Sequence, residues 1–339
     1  MRRPRIAING LGRIGRLVFQ ILFDKNLVDI VAINDIAPDA ALVYLLKYDT
    51  AQGKWDKEIK EIDDKFYIEG REILSTSFGN INQLPWKDLD IDIVIECSGR
   101  YRTKDKLAEH IAAGAKKVII SAPADNEVKT IVLGINDNII SKDDLILSNA
   151  SCTTNCLAPM VKILQDNYGI QYGMMNTIHA YTQDQKLHDS IHPTDFRRAR
   201  AAAQNIVPTT TNASKALEWV MPEIKGKIIG GAVRVPVIAG STTELYVQLE
   251  KQASIQEINE VFHKASKEKF KGILQYTEDP IVSSDIIHSP FSCTFDAGLT
   301  QKIGDLVKIV GWYDNEYGYT RQVIRFSKHI AEVRRATYY

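Results

Sequence analysis

A chain of 339 residues with 45% apolar and 25% charged side chains is long enough for two ordinary domains, each with its own core. Lysine plus arginine equal aspartate plus glutamate at 42 each, which excludes a global field that would gather nucleic acid or an acidic membrane surface. No apolar run approaches the ~18 residues that span a bilayer, and four cysteines without a Cys-x-x-Cys pair exclude a disulfide framework. The start, Met-Arg-Arg-Pro-Arg, lacks the apolar region of a secretory signal, so a soluble, cytoplasmic protein is expected.

Arg5 to Asn9 reads as a short buried strand, and Gly10-Leu11-Gly12-Arg13-Ile14-Gly15 follows it. Ile14, Leu17, Val18, Ile21 and Leu22 then recur at helical spacing. In such a turn Gly10 allows the tight bend, Gly12 lets the backbone approach a pyrophosphate, and Gly15 lets helix and strand pack closely. The phosphates would sit on the helix N-terminus. A second strand, Ile30 to Asn34, ends in Asp35, which lies 20 residues past Gly15. A carboxylate there accepts hydrogen bonds from the ribose of a dinucleotide and repels a 2′-phosphate, favouring NAD over NADP. As a bare turn, Asp35 would only cap the chain before Ala37-Pro38.

Tyr48 to Trp86 is charged and alternating, and reads as antiparallel excursions. Strands are expected at Asp92 to Glu96 and Lys117 to Ser121, with a helix from Thr103 to Ala113 between them. Ligands bind outside the carboxyl ends of parallel strands, which makes Ser98 and Ser121 cofactor-side candidates as well as plain turn residues.

The stretch Asn149-Ala-Ser-Cys-Thr-Thr-Asn-Cys156 follows an apolar strand, Leu145 to Leu147, and precedes helical spacing from Leu157 to Leu164. Ser151, Thr153, Thr154 and Asn155 are residues that cap helix starts. A cysteine at a helix start meets unpaired N–H groups and the positive end of the helix dipole, which lower a thiol pKa. Cys152 is therefore a candidate nucleophile, and equally a candidate for an inert buried thiol. Of the seven histidines (His110, His179, His188, His192, His263, His288 and His329), His179 stands at the end of a strand from Gly173 to Thr177, as a base for that thiol should.

Asp184 to Arg200 is a long polar loop whose clustered arginines suit phosphate, or simply a solvated or subunit-facing surface. Pro208-Thr209-Thr210-Thr211, before a helix from Ala213 to Val220, is a second plausible anion cradle. From Lys227 on the pattern is β-rich: Ile228 to Val235 and Glu244 to Leu249 alternate as antiparallel strands do, and Arg234 would cost free energy if buried without an anion. A helix from Ile255 to Lys267, a strand from Leu306 to Tyr313 and a final helix from Thr320 to Val333 complete the chain.

With these stretches in view, together with Leu45-Leu46-Lys47-Tyr48-Asp49, His179-Ala180-Tyr181-Thr182, Arg197 to Ala203, Arg234-Val235-Pro236 and Trp312 to Glu316, the sequence resembles the phosphorylating glyceraldehyde-3-phosphate dehydrogenases over essentially its whole length. The resemblance implies an α/β fold. Residues 1–151 and 316–339 would form a Rossmann-type parallel-sheet domain that binds NAD and takes back the closing helix. Residues 152–315 would form an α+β catalytic domain with a mainly antiparallel sheet. It implies Cys152 as nucleophile and His179 as its base. Arg13 and Ile14 would contact the pyrophosphate through their backbone, and Asn315 would hold the nicotinamide amide. One anion site would use Thr182 and Arg234, and the other Ser151, Thr153, Thr211, Asn212 and Arg198. The reaction implied is oxidation of glyceraldehyde 3-phosphate with inorganic phosphate to 1,3-bisphosphoglycerate, a step of glycolysis and gluconeogenesis, by a homotetramer that uses no metal and binds neither nucleic acid nor membrane.

The chain departs from the family at Gly79, where an arginine commonly flanks the adenine, at Asn212 for a glycine, at Ser190-Ile191 for Leu-Pro, and at Tyr317 for a tryptophan. Gly79 removes an adenine contact, Asn212 tolerates a positive φ in place of glycine, and Ser190-Ile191 relaxes the exclusion of NADP. The alternatives are erythrose-4-phosphate dehydrogenase, which differs after the catalytic histidine, and a non-catalytic NAD-binding regulatory protein, against which Cys152, His179, Thr182 and Arg234 all speak.

Overall fold

A computed structural model describes residues 2–336, with side chains as far as Glu332. The chain divides into two compact units: one holds the residues up to Ile131, Asn138–Ala150 and the chain from Val323 on, the other Val132–Asp137 and Ser151–Gln322.

The first unit is built on a nine-stranded sheet. Across it run Lys129–Thr130, Ile146–Ser148, Val118–Ile120, Ile93–Glu96, Arg5–Asn9, Asp29–Asn34, Arg71–Thr76, Lys65–Ile68 and Lys60–Ile62. The first seven are mutually parallel; Lys65–Ile68 pairs antiparallel with the seventh and Lys60–Ile62 antiparallel with Lys65–Ile68. The excursion expected over Tyr48 to Trp86 is therefore antiparallel only in part, because Arg71–Thr76 joins the parallel edge beside Asp29–Asn34. The central strands are short and apolar; Ile6, Ala7, Ile8, Ile33, Val94 and Ile119 are all essentially buried, as a parallel sheet covered on both faces requires.

Three helices accompany this sheet. Helix α1 (Arg13–Lys25) buries Leu17, Val18, Ile21 and Leu22 of the stripe read from the sequence, leaves Ile14 half-buried, and ends at Asn26, whose left-handed φ of 50° lets its N–H return to the Leu22 and Phe23 carbonyls. Helix α2 (Asp39–Lys47) follows Pro38 and lies outside the expected elements, since only Leu42 and Leu46 face inward. Helix α3 (Lys104–Ala112) crosses between Ile93–Glu96 and Val118–Ile120.

The second unit carries a mixed sheet in the order Val207–Thr209, Ile228–Val235, Ile170–Ala180, Ser241–Leu249, Leu306–Tyr313, Cys293–Asp296 and Leu274–Thr277, with Gln301–Ile303 beside Leu306–Tyr313. Most pairs are antiparallel. Ile228–Val235 differs from expectation: it lies parallel to Ile170–Ala180 and antiparallel only to Val207–Thr209. Its burial does not alternate, because Gly230 and Gly231 bring no side chains to either face. Helix α4 (Cys152–Tyr168) packs on this sheet and on α5 (Ala213–Val220) and α6 (Ile255–Lys267). A Ser254–Glu257 capping box starts α6. The last helix, α7, spans Tyr317–Ala336.

Candidate active site and dinucleotide crevice

In the first unit the glycines divide the labour of the turn. Gly10 has φ +93°, and a Cβ there would lie 2.5 Å from the Ser98 backbone. A Cβ on Gly15 would lie 1.9 Å from the Gly10 carbonyl oxygen, so α1 and its strand can meet only at glycine. A Cβ on Gly12 would touch nothing within 4 Å; that face is open. Gly12 also caps α1 without a side-chain hydrogen bond, and Arg13 and Ile14 form the first helical turn. An uncapped helix start beside open backbone is suited to an anion.

The Arg13 side chain turns away from that opening. Its two terminal nitrogens donate to the Asp49 carboxylate, the Nη2–Oδ1 bond being 3.0 Å. Burial works against the ionised Asp49, but Arg13 and the N–H groups of Gln52 and Ala51 outweigh it and hold its carboxyl below the ordinary range.

Asp35 accepts from the Leu11 N–H at 2.7 Å and the Ala37 N–H at 2.9 Å. It therefore braces both turns, as a cap would, while lining a cleft of about 190 Å³ with Gly10, Gly12, Phe78, Ser98 and Tyr101. Ser121 is not among the lining residues: its N–H and hydroxyl both donate to the Glu96 carbonyl at 3.0 Å. Gly79 also lines the cleft, its carbonyl accepting from the Tyr101 hydroxyl at 3.0 Å, and a Cβ on it would meet nothing.

In the second unit the helix behind the cysteine begins five residues earlier than the apolar spacing suggests, so Cys152 is itself the first residue of α4. Ser151 caps it: its Oγ accepts from the Thr154 N–H at 3.0 Å. The Cys152 sulfur lies 3.4 Å from His179 Nε2. His179 Nδ1 lies 2.7 Å from the Ala180 carbonyl, which can only accept, and 2.8 Å from Arg234 Nη1, which can only donate, so its two neighbours make opposite demands on it; in the tautomer with the proton on Nδ1, Nε2 presents its lone pair to the thiol.

Arg234 completes the cluster. The parallel register sets it directly beside His179, with Nη1 2.8 Å from Nδ1 and 3.2 Å from the Ala180 oxygen. Among the described residues no carboxylate pairs with it, and its buried Nε has no partner. A half-buried guanidinium without a counter-charge is an anion site in waiting.

The helix start and the burial that the sequence offered as alternatives both act on Cys152. Burial pushes the Cys152 thiol up from its ordinary value; Arg234, the Thr153 hydroxyl and the N–H groups of Thr153 and Cys152 pull it down without overcoming that. Burial, joined by the Arg234 charge, pushes His179 down to about 3. Burial thus disfavours the charged form of both groups, and works against the helix start and Arg234, which favour the thiolate.

The other expected anion ligands are placed unevenly. Thr182 is half-buried just past the His179 strand, its N–H turned to Gln185 Oε1 at 3.4 Å. Thr211, the residue before the Asn212 cap of α5, accepts from the Ala213 N–H at 3.2 Å through its Oγ1, while the Asn212 side chain makes no cap bond. Asn212 needs no positive φ, having −96°. Arg198 does not offer a free guanidinium: Asp184, Asp195 (3.1 Å) and the Thr210 carbonyl (3.2 Å) take its donors. Carboxylates from its own loop thus satisfy it.

Two residues that the sequence did not single out tie the cluster together. Buried Tyr313 bonds Thr153 Oγ1 at 2.9 Å and Thr177 Oγ1 at 2.7 Å, with its ring edge-on to His179. Buried Ser241 accepts from the Ala180 N–H at 3.1 Å and donates to Asn315 Oδ1 at 2.9 Å. Neither carries a local signal, since a tyrosine or serine inside a strand reads as ordinary sheet.

Family models described as the glyceraldehyde 3-phosphate dehydrogenase NAD-binding domain and C-terminal domain match residues 4–104 and 151–315. The chain belongs to the glyceraldehyde 3-phosphate dehydrogenase family. It is 49% identical over 323 residues to glyceraldehyde-3-phosphate dehydrogenase 2 of Streptomyces avermitilis, covering 94% of this chain and 96% of that one. It is 46% identical over 331 residues to glyceraldehyde-3-phosphate dehydrogenase 2 of Bacillus subtilis, covering 97% of each. The glyceraldehyde-3-phosphate dehydrogenase of Clostridium pasteurianum is 46% identical over 334 residues, with 97% and 99% covered. NAD is the cofactor of this family. The open Gly12, the uncapped start of α1 and the Asp35 acceptor are the groups that fit it.

Proposed function

We propose that this chain oxidises glyceraldehyde 3-phosphate, with NAD and inorganic phosphate, to 1,3-bisphosphoglycerate through a covalent intermediate on Cys152. The observation that supports this most directly is the Cys152 sulfur 3.4 Å from His179 Nε2, beside an Arg234 guanidinium that forms no ion pair with a carboxylate of the described residues. Arg234 and Thr182 bind the substrate phosphate. Ser151, Thr153, Thr211 and Asn212 bind the attacking phosphate, and Arg198 joins them only by giving up one of its aspartates.

His179 accepts the thiol proton as the sulfur attacks the aldehyde carbon, which gives a hemithioacetal alkoxide and an imidazolium, and the imidazolium then returns that proton to the oxygen to leave the hemithioacetal hydroxyl. The N–H groups at the start of α4 face the charge that develops there. When bound, NAD is the two-electron acceptor. With its first proton released, His179 takes the hemithioacetal hydroxyl proton as the carbon becomes a thioester. Inorganic phosphate then attacks the thioester carbonyl, the C–S bond breaks, and the acyl phosphate leaves Cys152 as a thiolate that is reprotonated. Two anion sites around one sulfur turn both encounters into positioned reactions. Gly10, Gly12, Gly15, Arg13, Ile14, Asp35 and Ser98 bind the dinucleotide, with Ser121 supporting them from the Glu96 carbonyl and Asn315 taking its carboxamide.

We further propose a homotetramer working in the reducing cytoplasm. The described residues include apolar side chains exposed on one sheet, Tyr172, Met174 and Ile229, and on the long loop, Leu187, Ile191 and Phe196, which a subunit contact would cover. All four cysteines are free, and no helix of the described residues is long and apolar enough to cross a membrane.

The test is one assay of protein, glyceraldehyde 3-phosphate, NAD and phosphate, followed by absorbance of the reduced cofactor. Activity is expected to need phosphate and to prefer NAD over NADP. Cys152→Ser should lower turnover about 10³-fold or more. Undiminished turnover in that variant would sink the assignment.

A further inference from the structure

We propose that Glu96, which does not itself line the cleft, is the positioning residue that sets its shape, and that His110 and Trp86 hold Glu96 from behind. The proposal rests on reading the cleft as the NAD site. Glu96, His110 and Trp86 are buried, at 1%, 0% and 0% exposure. Glu96 Oε1 accepts from the Ser98 N–H at 2.6 Å. Its Oε2 accepts from Asn9 Nδ2 at 2.5 Å and faces His110 Nε2 at 3.1 Å.

The proton positions follow from what each group can do. An indole N–H can only donate, and Trp86 Nε1 lies 3.0 Å from His110 Nδ1. Nδ1 is therefore the acceptor, Nε2 carries the proton, and that proton points at Glu96. Three N–H donors converge on one carboxylate, which acts only as an acceptor.

That acceptor end orients a ladder of buried amides. Asn9 must turn its NH₂ to Glu96, which leaves its Oδ1 to accept from Asn34 Nδ2 at 2.8 Å. The Asn34 NH₂ then also donates to the Phe78 carbonyl at 3.0 Å, and its Oδ1 receives the Phe78 N–H at 2.9 Å. The Phe78 backbone fixes Asn34 by itself, and Asn9, between Asn34 and Glu96, cannot be flipped while Glu96 accepts at the end of the row. Ser98, Asn9, Asn34 and Phe78 all line the cleft, so the buried carboxylate holds the Ser98 and Asn9 side of it directly and ties that side, through Asn9, to Asn34 and Phe78.

Glu96→Gln keeps the shape and replaces one oxygen with an NH₂, which sets donor against donor. The affinity of this variant for NAD, measured by calorimetry, should fall about tenfold or more, while kcat at saturating NAD and KM for the aldehyde stay within about threefold. Asn9→Asp combined with Glu96→Gln gives the new NH₂ an acceptor, and the carboxylate it introduces can still receive the Asn34 NH₂. The double variant should recover part of the lost affinity, His110 alone remaining mismatched. A wild-type protein that does not bind NAD would remove the reading of the cleft itself. A wild type that binds NAD, with Glu96→Gln within about twofold of it, or with no recovery in the double variant, would overturn the positioning role alone. Should Glu96→Gln not fold, Trp86→Phe removes only the donor behind His110. That variant should bind NAD about threefold more weakly, and unchanged affinity would overturn the proposal.

Discussion

At Cys152 two demands compete. The sulfur must leave water to react with one substrate at a time, yet burial disfavours the thiolate that reacts. The chain answers with Arg234, whose charge favours the thiolate and disfavours the imidazolium. Removing that charge should move both groups upward. Alkylation of Cys152 by iodoacetamide, followed against pH, is expected to shift to higher pH in Arg234→Gln, and a shift to lower pH would contradict the account. Cys152 should also be the first thiol modified. Burial pushes Cys97 up to about 12 with only the Ser121 hydroxyl opposing it, and Cys156 is raised well above the ordinary value by burial and by Cys293 beside it. Peptide mapping after brief alkylation checks that order. His179→Gln keeps a polar group but no base, and should cost about 10²–10⁴-fold in turnover.

The elements that hold these residues work by close approach. Two glycines of the first turn separate folding from binding. Gly15→Ala drives a methyl group to 1.9 Å from the Gly10 carbonyl, and should cost about 1–3 kcal/mol of stability as well as NAD affinity. Gly12→Ala meets nothing in the folded chain, so its melting temperature should hold while NAD binding alone weakens. Thermal denaturation beside calorimetric titration separates the two cases; equal losses of stability would refute the division. In the second unit the decisive element is the parallel pairing of Ile170–Ala180 with Ile228–Val235, which brings Arg234 against His179. A slip of one residue would send Arg234 to the opposite face.

Over the whole molecule, apolar side chains remain exposed where a single chain has no reason to expose them. Leu187, Ile191 and Phe196 are each 87–89% exposed on one loop. The homotetramer proposed above predicts a sedimenting species of four times the 38.1 kDa chain mass. Phe196→Glu should shift it to smaller species, and a monomeric wild type would end the proposal. Much of the fold was legible before any coordinates. The strand–turn–helix at the start, the carboxylate of Asp35 and the cysteine at a helix start were read from local spacing, because close backbone approach, buried strands and helix caps each demand particular residues at fixed separations. Strand partners, proton positions and counter-charges were not legible. That Ile228–Val235 runs parallel to the His179 strand and that burial raises the Cys152 thiol depend on which residues meet across tens or hundreds of positions, and that Arg198 is taken by Asp184 and Asp195 depends on how its own loop folds back. A pattern along the chain records what each segment must bury; only the packed structure decides what it is buried against.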